Sequence, residues 1–301
     1  MLEIDRSILE TFEMKIDPRQ LRGGSVLGYG EISTVLEITG LPDVACKRMP
    51  LFKTRLAADT YARQYREYCD HLIAAGLKLP DDRTAIIEQS GKPVVLYIIQ
   101  QQLNPARFVH KLIHDLPDTE IDILISGVLE QINQIWQFNR DHSPNLQLAI
   151  DGQLSNWVFL ESGDLYYVDT STPLYRINGQ EQLDPELFLQ SAPSFLRWLI
   201  RWLFLADVMN RYYDPRQVAI DVAANLFKEQ RPDLVPRVVE LINHYNPTDT
   251  EPFTVKDIEK YYREDKLIWT LFLALRRFDR WLKTKILRQR YEFVLPGKIK
   301  R

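Results

Sequence analysis

The residues best suited to chemistry in this chain of 301 are two carboxylates and an amide set close together in its middle. Asp151 and Asn156 bracket the segment Asp151-Gly152-Gln153-Leu154-Ser155-Asn156, a predicted turn after one short strand and before the next. On such a turn both side chains can point into a cleft, the carboxylate to accept a proton and the amide to coordinate a divalent cation. The same residues also suit an Asx-type turn. Asp169 ends the following strand in Tyr166-Tyr167-Val168-Asp169-Thr170-Ser171, and a carboxylate at that edge can complete a magnesium site with Asn156.

Residues nearer the start offer a place for phosphate. Gly28-Tyr29-Gly30-Glu31-Ile32-Ser33-Thr34-Val35 lies inside a predicted hairpin. Paired glycines let backbone N–H groups approach a phosphate, although glycines in hairpins also serve conformation alone. Lys47 follows on the next strand between Ala45, Cys46 and Met49, either facing a cleft or snorkelling to water. Glu67 sits in the middle of a predicted helix, as a carboxylate offsetting the desolvation of a buried lysine or as a solvated helix charge.

The residues fall in the order Gly28-x-Gly30-x-x-Ser33-x-Val35, Val44-Ala45-Cys46-Lys47, Glu67, Asp151-x-x-x-x-Asn156 and Asp169. In that order and context the chain resembles the protein-kinase-like superfamily over roughly residues 20 to 175. The resemblance implies an α+β, bilobal protein-kinase-like fold. Its β-rich N-terminal lobe would take residues 1–103 and its mainly helical C-terminal lobe residues 104–301. It further implies ATP between the lobes, under Gly28 and Gly30 and beside Ser33 and Val35, with Lys47 on the α and β phosphates and held by Glu67. Asn156 and Asp169 would hold Mg2+, and Asp151 would accept the proton of a substrate hydroxyl. Gln101 and Leu103, in the segment joining the lobes, would meet adenine through their backbone, an assignment resting on position alone.

Departures from the pattern narrow the class. Ser33 stands where a third glycine is usual, Ala149 stands two residues before Asp151 in place of histidine, and Asp169-Thr170-Ser171 replaces Asp-Phe-Gly. There is no Ala-Pro-Glu segment, and the chain is expected to pass from Asp169 directly into a helical tail. In these respects it is more similar to small-molecule phosphotransferases of the aminoglycoside and choline kinase type than to protein kinases. The expected activity is transfer of the γ-phosphate of ATP to a hydroxyl of a small molecule. A catalytically silent nucleotide-binding scaffold is the alternative, followed by a protein kinase or a nucleotidyl transferase. Arg140-Asp141-His142 imitates a catalytic loop, but Asn145 follows Asp141 at four residues, and Asp141 reads as part of a helix terminus.

Simple elements must position these residues. Ser25–Val35 and Val44–Arg48 read as an antiparallel hairpin turned by Gly40, Pro42 and Asp43, and Ala85–Glu88 with Val94–Gln100 as a second. Between them Arg55–Ala75 lacks Gly and Pro and reads as a helix capped by Gly76. Asp118–Phe138 repeats apolar residues at helical spacing. Leu146–Ile150, Trp157–Leu160 and Leu165–Val168 are short strands, the last two joined by Glu161-Ser162-Gly163-Asp164, and the chain from about Pro185 onward reads as helical. The lobes would join near Gln101–Pro105.

Composition excludes several classes. At 45% hydrophobic and 26% charged residues, disorder, collagen and coiled coil do not fit. Leu267–Leu275 stops at Arg276, and Phe195–Met209 is cut by Arg197 and Arg201, so no apolar run reaches the roughly 18 residues of a membrane span. The opening MLEIDRSILETFEMK lacks a basic segment followed by an apolar one, which makes a cytoplasmic location the expectation. Cys46 and Cys69 form no CxxC pair and read as small buried side chains, and His110 and His114 lack a third ligand at metal-site spacing. Lys and Arg number 13 against 14 Asp and Glu in residues 1–103, 13 against 23 in residues 104–260, and 12 against 4 in residues 261–301. The basic end alternates Arg276, Arg277, Arg280, Lys283, Lys285, Arg288 and Arg290 with Phe278, Trp281, Leu282, Ile286 and Leu287. It is expected to pack its apolar face on the helical lobe and offset that lobe's charge, with peripheral membrane contact as the alternative and no nucleic acid partner.

Overall fold

Alternation along two central strands gives the N-terminal sheet two different apolar faces, and a helix covers each. The computed structural model describes residues 2–17, 23–29, 33–184, 186–187, 206–245, 251–288 and 291–292. Strands β1 (Gly24–Tyr29), β2 (Thr34–Ile38), β3 (Val44–Phe52), β4 (Asp82–Ile87) and β5 (Val94–Gln101) form an antiparallel sheet in the order β1-β2-β3-β5-β4. The segment expected as one strand, Ser25–Val35, is divided between β1 and β2, with Tyr29 opposite Thr34, so the chain reverses after Tyr29. Met49, Leu96 and Ile98 pack against Tyr61, Tyr65 and Cys69 of helix α2 (Arg55–Ala74). Cys46, Tyr97 and Ile99 point the other way, onto Leu9 and Phe12 of helix α1 (Arg6–Lys15). That double cover is why β5 is buried along almost its whole length.

The α1 face also contains a buried ion pair. Arg48 and Glu13 are each only 2% exposed, and Arg48 donates from Nε and Nη2 to the two Glu13 carboxylate oxygens at 2.8 and 2.6 Å. Tyr97 donates its hydroxyl to the same carboxylate at 2.6 Å, and Arg48 Nη1 donates to the Glu292 carbonyl at 3.0 Å. A buried charge of this kind needs every lone pair and proton engaged, and here the geometry is bidentate.

From Pro105 onward helices dominate. Among the described residues they are α3 (Val109–Asp115), α4 (Asp118–His142), α5 (Ala206–Arg211), α6 (Pro215–Lys228), α7 (Val235–Tyr245) and α8 (Val255–Trp281). Strands β7 (Trp157–Phe159) and β8 (Leu165–Tyr167) pair as a hairpin. Beyond Asp169 the chain does not pass directly into a helix. It forms β9 (Tyr175–Ile177) and β10 (Gln180–Glu181), which join β6 (Leu146–Leu148) in a sheet ordered β10-β9-β6. The cause is local: Asn178 and Gly179 adopt φ of 50° and 76°, the backbone of a tight hairpin turn.

The basic C-terminal helix also departs from expectation. The first half of α8 packs through Ile258, Tyr261 and Tyr262 into the core shared with α4, α6 and α7. Beyond Trp269 the helix continues for about 18 Å. There the inward positions are taken by Arg276 and Asp279, both buried, so the apolar residues fall on the outer side. Phe278 and Trp281 are left 48% and 50% exposed. Among the described residues no helix is long and apolar enough to cross a membrane.

Removing Glu13 tests the buried pair. Breaking such a pair from one side costs about 3–5 kcal/mol, whereas an exposed one contributes about 0–1 kcal/mol. Denaturant unfolding should therefore show a loss of that larger size for Glu13→Ala and little change for Glu10→Ala, whose partner Arg6 is exposed. Equal small losses would mean that Arg48 does not depend on Glu13.

Candidate functional site

A cleft of about 310 Å³ lies between Tyr29 and Ser33 of the sheet side and the loops and helices of the C-terminal region. Asp151, Asn156 and Asp169 all line it, joined by Asp221 and Lys228 from α6 and by Tyr261, Asp265 and Trp269 from α8. Gly28 lies opposite Val35, Val35 opposite Lys47, and Lys47 opposite Ile98, so a single cross-strand row leads from β1 to the lysine. A Cβ added at Gly28 would meet nothing nearer than the Val35 side chain at 3.8 Å, so packing within the chain does not require glycine there. Gly30 falls outside the described residues.

Lys47 is buried, and its ammonium donates to the Val168 carbonyl at 2.7 Å and lies 3.5 Å from Asp169 Oδ1. Burial pulls its pKa below the ordinary lysine value, and the Asp169 carboxylate works against that shift. The expected Lys47–Glu67 pair is not formed. Glu67 lies on the exposed flank of α2 and accepts a hydrogen bond from the Tyr175 hydroxyl at 2.6 Å. The reason is the facing of α2, which turns Tyr61, Tyr65 and Tyr68 inward along one stripe. Tyr61 donates to the Ser171 carbonyl at 2.7 Å and Tyr68 to the Ala149 carbonyl at 2.8 Å. Thr170, wholly buried, accepts from Gln100 Nε2 at 2.9 Å and donates to the Tyr65 hydroxyl at 3.3 Å. The stretch Asp169–Ser171 is thus fixed from both α2 and β5.

The turn at Asp151 combines both readings of its sequence. Its carboxylate accepts from the Gln153 N–H at 3.0 Å and from Gln153 Nε2 at 3.1 Å, an Asx-type turn, while still lining the cleft. Asn156 Nδ2 donates to the Asp151 carbonyl at 3.3 Å, and the Val168 N–H donates to the Asn156 carbonyl at 2.9 Å, which sets Asp169 beside Asn156. Gly152 allows the turn to press against α6, because a Cβ there would come within 2.8 Å of Val222 and 3.1 Å of Val218. Asn225 of α6, buried, accepts from the Leu154 N–H at 3.0 Å and holds the loop from below. Asp141, by contrast, is exposed in the last turn of α4 and does not line the cleft.

The electrostatics of the cleft are carboxylate-rich. Burial first, then the neighbouring Asp221 and Asp169, push the Asp151 carboxyl well above the usual carboxylate range, with Gln153 and Lys228 opposing. Burial likewise raises Asp221, and Lys228 stands 3.6 Å from Asp221 and 3.3 Å from Asp265. Asp221, Lys228 and Asp265 carry no motif. Their signal is weaker: Asp221, Asn225 and Lys228 interrupt the stripe on which Val218 and Val222 are buried. At the joining segment, the Gln101 N–H is taken by the Asp81 carbonyl at 2.7 Å. Leu103, two residues on, is partly buried, and its backbone makes no hydrogen bond among the described residues.

Fold and site together define an α+β protein with a carboxylate-lined cleft set between an antiparallel sheet and a mainly helical region. Residues 18–280 match the model of a family described as a family of unknown function (DUF6206), and the chain belongs to that family. No curated protein matches it.

A raised carboxyl pKa has a definite sign in stability. The Asp151 carboxyl binds its proton more tightly folded than unfolded, where 3.8 is the ordinary value. Its favourable contribution is therefore complete below that value and is lost as pH rises through the higher folded pKa. Asp151→Asn should raise the melting temperature near pH 8, with the gain shrinking toward pH 4. A gain equal at both pH values would show that charge burial is not its origin.

Proposed function

We propose that this chain is a kinase-like phosphotransferase that moves the γ-phosphate of ATP to a hydroxyl of a small molecule. The observation that carries the reading is Lys47, a buried ammonium on a central strand, meeting Val168 and Asp169 beside Asp151 and Asn156. The strand order β1-β2-β3-β5-β4, with α2 between β3 and β4, supports the bilobal kinase-like frame. In this reading the row Gly28–Val35–Lys47 receives the nucleotide phosphates, and the free space over Gly28 is where backbone approaches them. Leu103 rather than Gln101 offers its backbone to adenine.

The donors for a divalent cation are few and of the right kind. Among the described residues no three His, Cys, Asp or Glu side chains converge as a metal cage. Mg2+ characteristically takes one or two protein oxygens and fills its shell with water and phosphate, which suits the Asn156 amide oxygen and the Asp169 carboxylate. When bound, the ion supplies charge neutralisation at the phosphates. Asp151 takes the acceptor's proton, and its raised pKa improves it as a base. Its hydrogen bonds to Gln153 aim the carboxylate, and Gly152 and Asn225 keep the turn from moving.

A second reading, a nucleotide-binding protein without turnover, draws on two observations. Glu67 is turned away from Lys47, and Asp169–Ser171 is tied down by Tyr61, Tyr65 and Gln100. One set of measurements separates the two. By calorimetry the wild type should bind Mg-ATP, Lys47→Ala and Asp169→Ala should weaken binding at least about tenfold, and Glu67→Ala should not. In an ATP-consumption assay over hydroxyl-bearing metabolites, Asp151→Asn should lose about 10²- to 10⁴-fold in turnover with ATP affinity kept, and Asp141→Asn should match the wild type. Binding without turnover on any acceptor would favour the silent protein, and no binding would remove both readings.

A further inference from the structure

The outer end of α8 presents a surface that the cleft does not use. Leu267 and Leu271 are 70% and 58% exposed, and the series continues through Phe278 and Trp281 to Ile286 and Leu287 at 56% and 53%. The Phe278 and Trp281 rings stack with centroids 5.8 Å apart. Lys266, Arg277, Lys285 and Arg288 are exposed around this stripe. Between Lys266 and Arg288 the only acidic residue is Asp279, which is buried and paired with Lys283 at 2.8 Å. The solvent-facing charge of this stretch therefore has one sign.

We propose that this face docks on an anionic lipid surface, with Trp281, Phe278, Ile286 and Leu287 entering the headgroup layer and the Lys and Arg side chains around them meeting lipid phosphates and carboxylates. Charge complementarity selects that occupant. A second copy of the chain would set two faces of the same sign against each other, and a neutral partner would leave Lys285 and Arg288 without a counterpart. A helix with an apolar stripe, an aromatic pair and basic flanks lies in the plane of the interface rather than across it. That agrees with the lack of a membrane-spanning helix among the described residues. Each basic residue at such a surface strengthens partition about fivefold, and burying an aromatic side chain adds about tenfold or more.

Co-sedimentation of the full chain with vesicles tests this. The protein should pellet with vesicles containing phosphatidylserine and not with phosphatidylcholine alone, and added salt should release it. Lys285→Glu with Arg288→Glu, both exposed positions, should reduce binding about a hundredfold or more through two charge reversals, with an unchanged melting temperature. Phe278→Ser with Trp281→Ser should reduce it to a similar degree. Equal binding to both vesicle types, or to neither, overturns the proposal. So does a dimer in sedimentation equilibrium that Trp281→Ser dissolves without any vesicle binding, which would assign the face to a second copy.

Discussion

The ammonium of Lys47 sets the terms for the middle of this molecule. A lysine brought into a protein interior must find acceptors or lose its charge, and its apolar neighbours Met49, Leu96 and Ile98 have none to offer. The acceptors come from the segment that follows β8, from the Val168 carbonyl and Asp169. The sheet and the loop after β8 are therefore held in register by a charge rather than by apolar contact alone. The tyrosines of α2 reinforce the same junction, because each buried hydroxyl needs a partner and Tyr61 and Tyr68 find theirs in backbone carbonyls of the opposing segment.

The opposite wall obeys a related constraint with the sign reversed. Asp151, Asp169, Asp221 and Asp265 crowd one cleft, and Lys228 is placed between two of them. Burial, with Asp221 and Asp169 beside it, raises the proton affinity of the carboxylate with the least access to a cation. Asp151 is that residue: its bonds go to Gln153, which is neutral, while Lys228 attends Asp221 and Asp265. Rigid support under the turn makes the arrangement tolerable. Gly152 and Asn225 leave the loop no path away from α6.

What could be read in the sequence divides by range. Helices α2 and α4 and the hairpin β7–β8 follow from periodicity and turn residues within a few positions, and so do the local spacings at Asp151, Asn156 and Asp169. Helix α1 is short and interleaves acids with apolar residues, so only the Asp5 cap and the pair Leu9 and Phe12 mark it. Strands β9 and β10 are too short to show alternation, and the dipeptide Asn178-Gly179 is their one local sign. The facing of Glu67 depended on which side of α2 is buried, a question the stripe Tyr61, Tyr65 and Tyr68 answers against it. Asp221, Lys228 and Asp265 meet only because α6 and α8 pack together across a long stretch of chain, and no local pattern encodes that.

One feature at the back of the sheet bears on motion. Glu292 accepts from Arg48 of β3, while Tyr291 beside it is buried, with Lys283 of the turn after α8 5.5 Å from its ring. The sheet is therefore tied to the C-terminal region on both faces, by this contact at the back and by Lys47 and Gln100 at the front. A body tied on both faces cannot swing about one of them without straining the bonds at the other.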